Sequence, residues 1–238
     1  MLSNFSRHLR ALGWRAALVH VVARLISGCS AGRARLVPYY LVAQPVGDRP
    51  ASSSQRESRI TFLELNAGSS LLAQAPRPAH VIQQRLSSGA HCFAASQDDA
   101  LLGFVWIKEG EYLEDEVRCR YVLRSASASS VWDFDVYVAP QYRFGRLFGR
   151  LWDFVNAQLH SRGHQWSFSR ISLFNPASLA AHERLGARRY GFFAFLIIGR
   201  VQISFGSVPP HFHLSLGEDS YPTLVLGPSP RDQSRSSM

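Results

Sequence analysis

Cysteine is scarce in this chain, and long uninterrupted apolar runs are missing. The 238 residues include three cysteines, which lie far apart at Cys29, Cys92 and Cys119 and form no CxxC pair. This spacing predicts neither a disulfide framework nor a zinc site, so we expect no bound metal and a reducing, cytoplasmic environment. No segment has the length and hydropathy of a membrane-spanning helix.

Acidic residues are also few. The chain has 17 of them against 26 basic residues, for a net charge of +9 that is carried almost wholly by arginine. Such a balance favours anionic partners, namely phosphorylated cofactors, a membrane surface or nucleic acid. The sequence contains no nucleic-acid-binding motif, so we predict no nucleic-acid partner. It gives no indication of the oligomeric state.

The hydrophobic content of 46% is enough for a sizeable core, and the length favours one domain with irregular ends. We place the boundaries of this domain at residues 38 and 216. Residues 217–238 are rich in serine and charge, and we expect them to form a polar, disordered tail.

Residues 1–28 have the pattern of a basic amphipathic helix. Arginines are interspersed with apolar residues at the three-and-four spacing of one helical face: Phe5, Leu9, Leu12, Ala16, Val19, Ala23 and Ile26. Three interpretations are open. The apolar face packs on the domain, or it lies in the inner face of a membrane, or the segment is an export signal ending at Cys29. Arg24 and His20 interrupt the apolar region that export requires.

Turn residues divide the rest of the chain into strands and helices. The predicted strands cover residues 38–46, 91–96, 101–110, 117–123, 131–140, 169–175 and 189–199, and the predicted helices cover 79–86, 145–162 and 176–186. Strands that then alternate with helices predict an α/β fold with a central sheet covered by helices.

The stretch VYVAPQYRFGRLFGRLWDFV, residues 136–155, has the pattern of a strand that ends at Pro140 and continues through an arginine-rich turn into a helix. The first N–H groups of a helix have no partner within the helix, and the helix dipole is positive at that end. This stretch therefore predicts a phosphate-binding turn.

Together with SLFNPASLAAHERLGARRYG, residues 172–191, this stretch resembles the cofactor-binding core of the GNAT superfamily of N-acyltransferases. The resemblance covers about residues 131–199. It implies a GNAT-like central mixed β-sheet flanked by helices, acetyl-CoA or another acyl-CoA as co-substrate, and direct acyl transfer to a small-molecule or protein amine. In the family, glycine or alanine stands where this chain has Arg146 and Phe148, while Gly145 and Gly149 lie one position away. Either the turn is re-registered, or the arginine side chains replace part of the backbone contacts to phosphate.

The resemblance also implies which residues contact the co-substrate. They are the strand residues Val136, Tyr137 and Val138, the turn residues Arg143, Phe144, Gly145, Arg146, Leu147 and Phe148, and then Asn175 and His182. Asn175 would lie near the pantetheine, although its position before Pro176 equally predicts a helix N-cap.

Two aspartates are the candidates for the general base that an amine acceptor needs. By strict alternation of a strand, Asp133, Asp135 and Tyr137 share one face. Two carboxylates on one face raise the pKa of one of them, and we favour Asp135 because it lies nearer Pro140. Structural aspartates paired with arginine are the alternative. His182 stands where the family often has a tyrosine that protonates the leaving thiolate, and it is either that acid or a packing residue.

The run EYLEDEV, residues 111–117, concentrates four carboxylates in a basic protein. It would attract a cationic amine, or it is a solvated loop. The sequence thus predicts an acyl-CoA-dependent N-acyltransferase. The alternative is a non-catalytic module that docks on a membrane or a protein partner through its N-terminal helix.

Overall fold

The computed structural model describes residues 13–47, 59–124, 129–143 and 145–227. These residues fall into two compact units. The first holds residues 13–44, 111–122 and 169–226, and the second holds 45–47, 59–110, 123–124, 129–143, 145–168 and 227.

The described chain contains four α-helices and twelve strands, and several of the strands follow one another directly. The helices are α1 (Trp14–Cys29), α2 (Ala79–Ser87), α3 (Leu147–Ser161) and α4 (Pro176–Arg184), and short 3-10 helices cover Ser70–Gln74 and Pro140–Tyr142. The strands are β1 (Ala34–Pro45), β2 (Thr61–Leu65), β3 (His91–Gln97), β4 (Ala100–Glu109), β5 (Glu111–Leu113), β6 (Arg120–Leu123), β7 (Ser129–Val138), β8 (His164–Ser172), β9 (Arg188–Ile198), β10 (Val201–Gly206), β11 (Phe212–Ser215) and β12 (Thr223–Leu226).

In the first unit, β11, β10, β9 and β1 are neighbours in that order, and their ladders are antiparallel. Tyr39 of β1 stacks on Phe195 of β9 at a ring-centroid distance of 5.3 Å, and both side chains are fully buried. A Cβ atom at Gly206 would lie 2.2 Å from the ring of Phe193, so only glycine fits at this position. Strands β12, β6 and β5 form a separate three-stranded sheet.

In the second unit, the strand order is β8-β7-β4-β3-β2. The β7–β8 pair is parallel and the other pairs are antiparallel, so the sheet is mixed. Ile82 of α2 packs with Cys92, Ala94 and Trp106 on one face. Phe154 of α3 contacts Phe93, which alternation places on the other face. Helices therefore cover both faces.

The predicted α/β class, with a mixed sheet, flanking helices and an N-terminal helix, is confirmed. The helix of residues 176–186 forms as its sequence predicts, because Asn175 caps its start and Gly186 follows its end with a φ of 92°. Several boundaries differ: β8 begins at His164 instead of Ser169, and β6 begins at Arg120 instead of Val117.

The predicted polar tail from residue 217 is wrong for part of its length. Thr223–Leu226 is strand β12, which lies beside β6 and buries Leu224 and Leu226. The alternation of these four residues was a strand signal too short to stand out beside the polar residues around it. Residues 228–238 lie outside the described part of the chain, as do residues 1–12 of the N-terminal segment and 48–58 of the polar loop.

Among the described helices, none combines the length and the apolar character needed to cross a bilayer.

Candidate active site

Strand β7 carries a bulge at its centre. In the β4–β7 ladder, Trp106 pairs with Phe134 and Phe104 pairs with Tyr137, so that Val105 alone faces both Asp135 and Val136. Asp135 has a φ of 50°, in the left-handed region. Aspartate tolerates this conformation better than most residues, and one left-handed residue is enough to interrupt the alternation of a strand.

Because of this bulge, the predicted shared face of Asp133, Asp135 and Tyr137 is wrong. Phe134 and Tyr137 pack on the same cluster beneath α2, although an unbroken strand would place them on opposite faces. Asp133 pairs in register with Ile107, whose neighbour Trp106 belongs to that cluster. Asp133 therefore points away from the face on which Asp135 meets its partners, and the expected repulsion between the two carboxylates has no geometric basis.

Asp135 lies between two guanidinium groups. Arg77 and Arg85 each form an ion pair with its carboxylate, and Arg77 Nε donates to Oδ2 at 2.7 Å. Arg85 also lies 5.4 Å from the ring centroid of Trp106 and 5.1 Å from that of Phe134. This arrangement is the arginine-paired structural aspartate that the sequence left open. Both carboxylate oxygens accept from arginine, so a role for Asp135 as a base would compete with these ion pairs.

Asp133 is the more deeply buried of the two aspartates. Its side chain is 2% exposed, and Oδ2 accepts a hydrogen bond from Ser167 Oγ of β8 at 2.6 Å.

The parallel ladder between β7 and β8 is short. It joins Ser129–Trp132 to His164–Phe168 and ends there. Beyond Trp132, β7 keeps its ladder with β4 as far as Val138. Val136, Tyr137 and Val138 are half-buried in this stretch, and Tyr137 stacks on Phe104 at 5.3 Å. Among the residues that the structure describes, the β7–β8 ladder does not continue as β7 approaches Pro140, which leaves backbone groups of Val136 and Tyr137 for another partner.

The predicted phosphate turn connects β7 to α3. Pro140 begins a single 3-10 turn, and Gly145 N donates to Tyr142 O at 3.1 Å. Helix α3 then begins at Leu147 with Arg146 at the N-cap, and no side chain caps this end. Arg146 is exposed, as is Arg143, whose Nε donates to the carbonyl of Val138 at 3.0 Å. Phe144 lies outside the described residues.

The first turn of α3 offers space beside the N–H groups of a helix end. A Cβ atom added at Gly149 would meet no heavy atom within 4 Å, and Phe148 beside it is half-buried against Trp152. The first N–H groups of a helix point along its axis away from the helix, so an anion here meets donors, a positive dipole end and two arginines together.

Asn175 and His182 belong to the first unit, on α4. The Asn175 side chain accepts a hydrogen bond from Ser178 N at 3.1 Å, which is the helix N-cap that the sequence allowed. Whether its amide also contacts pantetheine stays a prediction.

His182 is 2% exposed, and its Nδ1 lies 3.4 Å from Gln44 Oε1. Burial lowers the pKa of His182 to about 4. A neutral imidazole dominates at pH 7, and it is a poor proton donor toward a thiolate. The geometry therefore favours the packing role of His182 over the acid that we predicted.

The acidic run of the first unit is only partly solvated. Arg170 of β8 pairs with Glu114 at 2.8 Å and with Glu116 at 2.7 Å. Glu114 is 8% exposed, and burial raises its pKa to about 7 against the opposing effect of Arg170. The run also lines a cavity of about 580 Å³. The charged residues at the wall of this cavity are Glu114, Asp115, Glu116, Glu218, Arg35, Arg118 and Arg200.

Sequence reasoning missed the arginines that organise these carboxylates. Arg77 and Arg85 are separated from Asp135 by 58 and 50 residues, and no local pattern announces such a pair. Arg170 left a signal, since it is the only charged residue in the otherwise apolar and serine-rich strand SRISLFN.

Comparisons with known proteins give structural likeness alone. No family model and no curated protein matches the chain. Solved structures that resemble it include a conserved protein of unknown function from Staphylococcus epidermidis, with 9% identity, 73% of this chain and 66% of that chain covered, and a TM-score of 0.48. A putative acetyltransferase of the GNAT family from Novosphingobium aromaticivorans is 19% identical. The match covers 67% of this chain and 63% of that chain, with a TM-score of 0.44.

A predicted acetyltransferase from Clostridium acetobutylicum, solved with acetyl-CoA, is 8% identical. The match covers 53% of this chain and 88% of that chain, with a TM-score of 0.38. This chain thus spans less than two thirds of the length of the first two structures. At TM-scores below 0.5, these likenesses assign no activity to the chain.

Proposed function

We propose that this protein is an acyl-CoA-dependent N-acyltransferase that binds its co-substrate at the turn between β7 and α3. The observation that carries the proposal is the uncapped N-terminus of α3 with exposed Arg143 and Arg146 beside it, directly after the strand edge that β8 no longer pairs. A diphosphate fits the helix end, and an extended pantetheine amide chain fits a strand edge with free backbone groups.

An acyl-CoA held there would supply the thioester for direct transfer. The acceptor nitrogen would bond to the acyl carbon, the carbon–sulfur bond would break, and the nitrogen would lose a proton to a base. Asp133 is our candidate for that base, because Asp135 is held by two arginines. The backbone of Val136–Val138 would orient the pantetheine and polarise the thioester carbonyl.

The acceptor that we propose is an amine. The cavity of the first unit supports this choice within that unit, since Asp115 and Glu218 at its wall complement an ammonium group. Neutralisation of Glu114 and Glu116 by Arg170 limits the excess of negative charge. Arginines at the same wall would suit an acceptor that also carries an anionic group.

Titration calorimetry with acetyl-CoA and with free CoA tests the binding site. The double variant Arg143→Ala/Arg146→Ala should bind roughly a hundredfold more weakly, because each charge-assisted phosphate contact contributes about a factor of ten. The matched control, Arg33→Ala/Arg124→Ala, removes two other exposed arginines and should bind like the wild type. Equal affinities in the two double variants would refute a phosphate role for the turn. Release of free thiol in the presence of a panel of amines then tests for transfer.

A further inference from the structure

Helix α1 has two apolar faces, and the residues that the structure describes cover only one of them. The face predicted from sequence is the inner one: Ala16 is buried, Val19, Ala23 and Ile26 are half-buried, and the His20 ring packs edge-on against Phe174 at 4.8 Å. The packing interpretation is therefore correct for that face.

The second face consists of Leu18, Val21, Val22 and Leu25, which we call the α1 stripe. These residues recur at three-and-four spacing along one side of the helix. Leu18 is 59% exposed and Leu25 is 60% exposed. Trp14 continues the stripe one turn earlier and is 74% exposed. From Trp14 to Leu25 the stripe is roughly 16 Å long at the rise of an α-helix.

The charge around the stripe identifies its partner. Residues 1–47 contain six arginines and no aspartate or glutamate. At about 100° per residue, the helical position of Arg24, which is exposed, falls on one flank of the stripe. An apolar stripe beside a cation, in a segment whose only charged residues are arginines, matches the layered chemistry of an anionic lipid surface, where apolar side chains enter the acyl region and arginines remain at the phosphates. A neutral or basic protein surface would not complement this one-sided positive charge.

We propose that the α1 stripe inserts into the interface of an anionic membrane and holds the protein at that surface. This inference goes beyond the proposed acyl transfer and does not depend on it. The helix lies in the plane of the membrane and does not span it, as its length and charge require.

The test is sedimentation of the full chain with vesicles of phosphatidylcholine containing one third phosphatidylglycerol, with pure phosphatidylcholine vesicles as the comparison. The wild type should sediment with the anionic vesicles and be released by high salt. Leu18→Gln/Leu25→Gln should lower the partition coefficient on the order of tenfold or more, because two leucines leave the lipid. Its acyl-CoA affinity should stay that of the wild type.

A matched control is available in the same unit. Leu113 on strand β5 is 58% exposed, and Val225 on strand β12 is 46% exposed. Leu113→Gln/Val225→Gln therefore removes two comparable apolar side chains that do not belong to α1. This variant should bind vesicles like the wild type. Equal loss in both double variants, or no loss in either, would overturn the proposal. So would a wild-type dimer that Leu18→Gln/Leu25→Gln converts to a monomer without any lipid binding, since a second copy would then cover the stripe.

Tryptophan fluorescence provides a measurement on the unaltered protein. Trp14 is exposed, whereas Trp106, Trp132, Trp152 and Trp166 are buried. Insertion of the stripe should shift the emission of Trp14 to shorter wavelength with anionic vesicles and leave it unchanged with neutral ones. Absence of that shift would refute insertion even if the stripe variant failed to fold.

Discussion

If Asp135 is a structural aspartate paired with Arg77 and Arg85, and not a base, its substitution should lower the stability of the protein. Asp135→Asn removes the carboxylate charge and leaves Arg77 and Arg85 without their counterion. Asparagine is suited to the left-handed conformation that Asp135 adopts at φ 50°, so the substitution preserves the backbone of the bulge. The experiment therefore isolates the ion pairs.

The size of the effect follows from burial. The side chains of Asp135 and Arg85 are 10% and 12% exposed, and that of Arg77 is 33% exposed. Removing one partner from a buried ion pair costs about 3–5 kcal/mol, and the exposure of Arg77 favours the lower end, about 3 kcal/mol. For a chain of this length, such a loss lowers Tm by roughly 6–12 °C.

Asp98 provides a matched control, because it also adopts a left-handed conformation, with φ 48°, and it lies in an exposed turn. Asp98→Asn should change Tm by about a degree. It makes the same change of side chain and charge at a left-handed residue as Asp135→Asn, but it breaks no arginine pair. Urea unfolding of the two variants beside the wild type gives the comparison. If the two variants have the same free energy of unfolding and Asp135→Asn nevertheless abolishes thiol release, Asp135 is the base and its structural role is refuted.

The sequence predicted several strands and two helices of the fold well, because their signals are local. Apolar stretches bounded by turn residues predicted β3, β4 and β9. The spacing of Leu147, Leu151, Phe154, Val155 and Leu159 predicted α3, where Phe154 is half-buried and the other four are buried. Start and stop residues predicted α4 to within two residues. Such signals depend on neighbours in the chain, and tertiary packing did not override them.

The candidate site was less predictable because three of its features are not local. The bulge at Asp135 depends on how β7 pairs with β4, and an aspartate in a strand does not announce a left-handed φ. The early end of the β7–β8 ladder depends on a second strand. The burial of His182 depends on its position on α4, where the helix turns this residue inward beside Gln44.

Two further outcomes follow from buried titratable groups. Burial raises the pKa of Cys92 and of Cys119 to about 12, whereas Cys29 is exposed, so a thiol reagent should label one cysteine in the native protein and all three in denaturant; more than one rapid label in the native state would contradict this burial. His182 should make the protein sensitive to acid. Its pKa is about 4 in the folded chain and near 6.5 when unfolded, so its contribution is fully present above pH 6.5 and is lost as the pH falls through 4. The difference corresponds to about 3 kcal/mol. Urea unfolding near neutral pH and near pH 4.5 should show a smaller acid loss for His182→Gln than for the wild type, whereas substitution of exposed His80 to Gln should leave the loss unchanged. An acid loss that is equal in all three proteins would mean that His182 reaches solvent and can take up a proton, which would restore it as a candidate acid for the leaving thiolate.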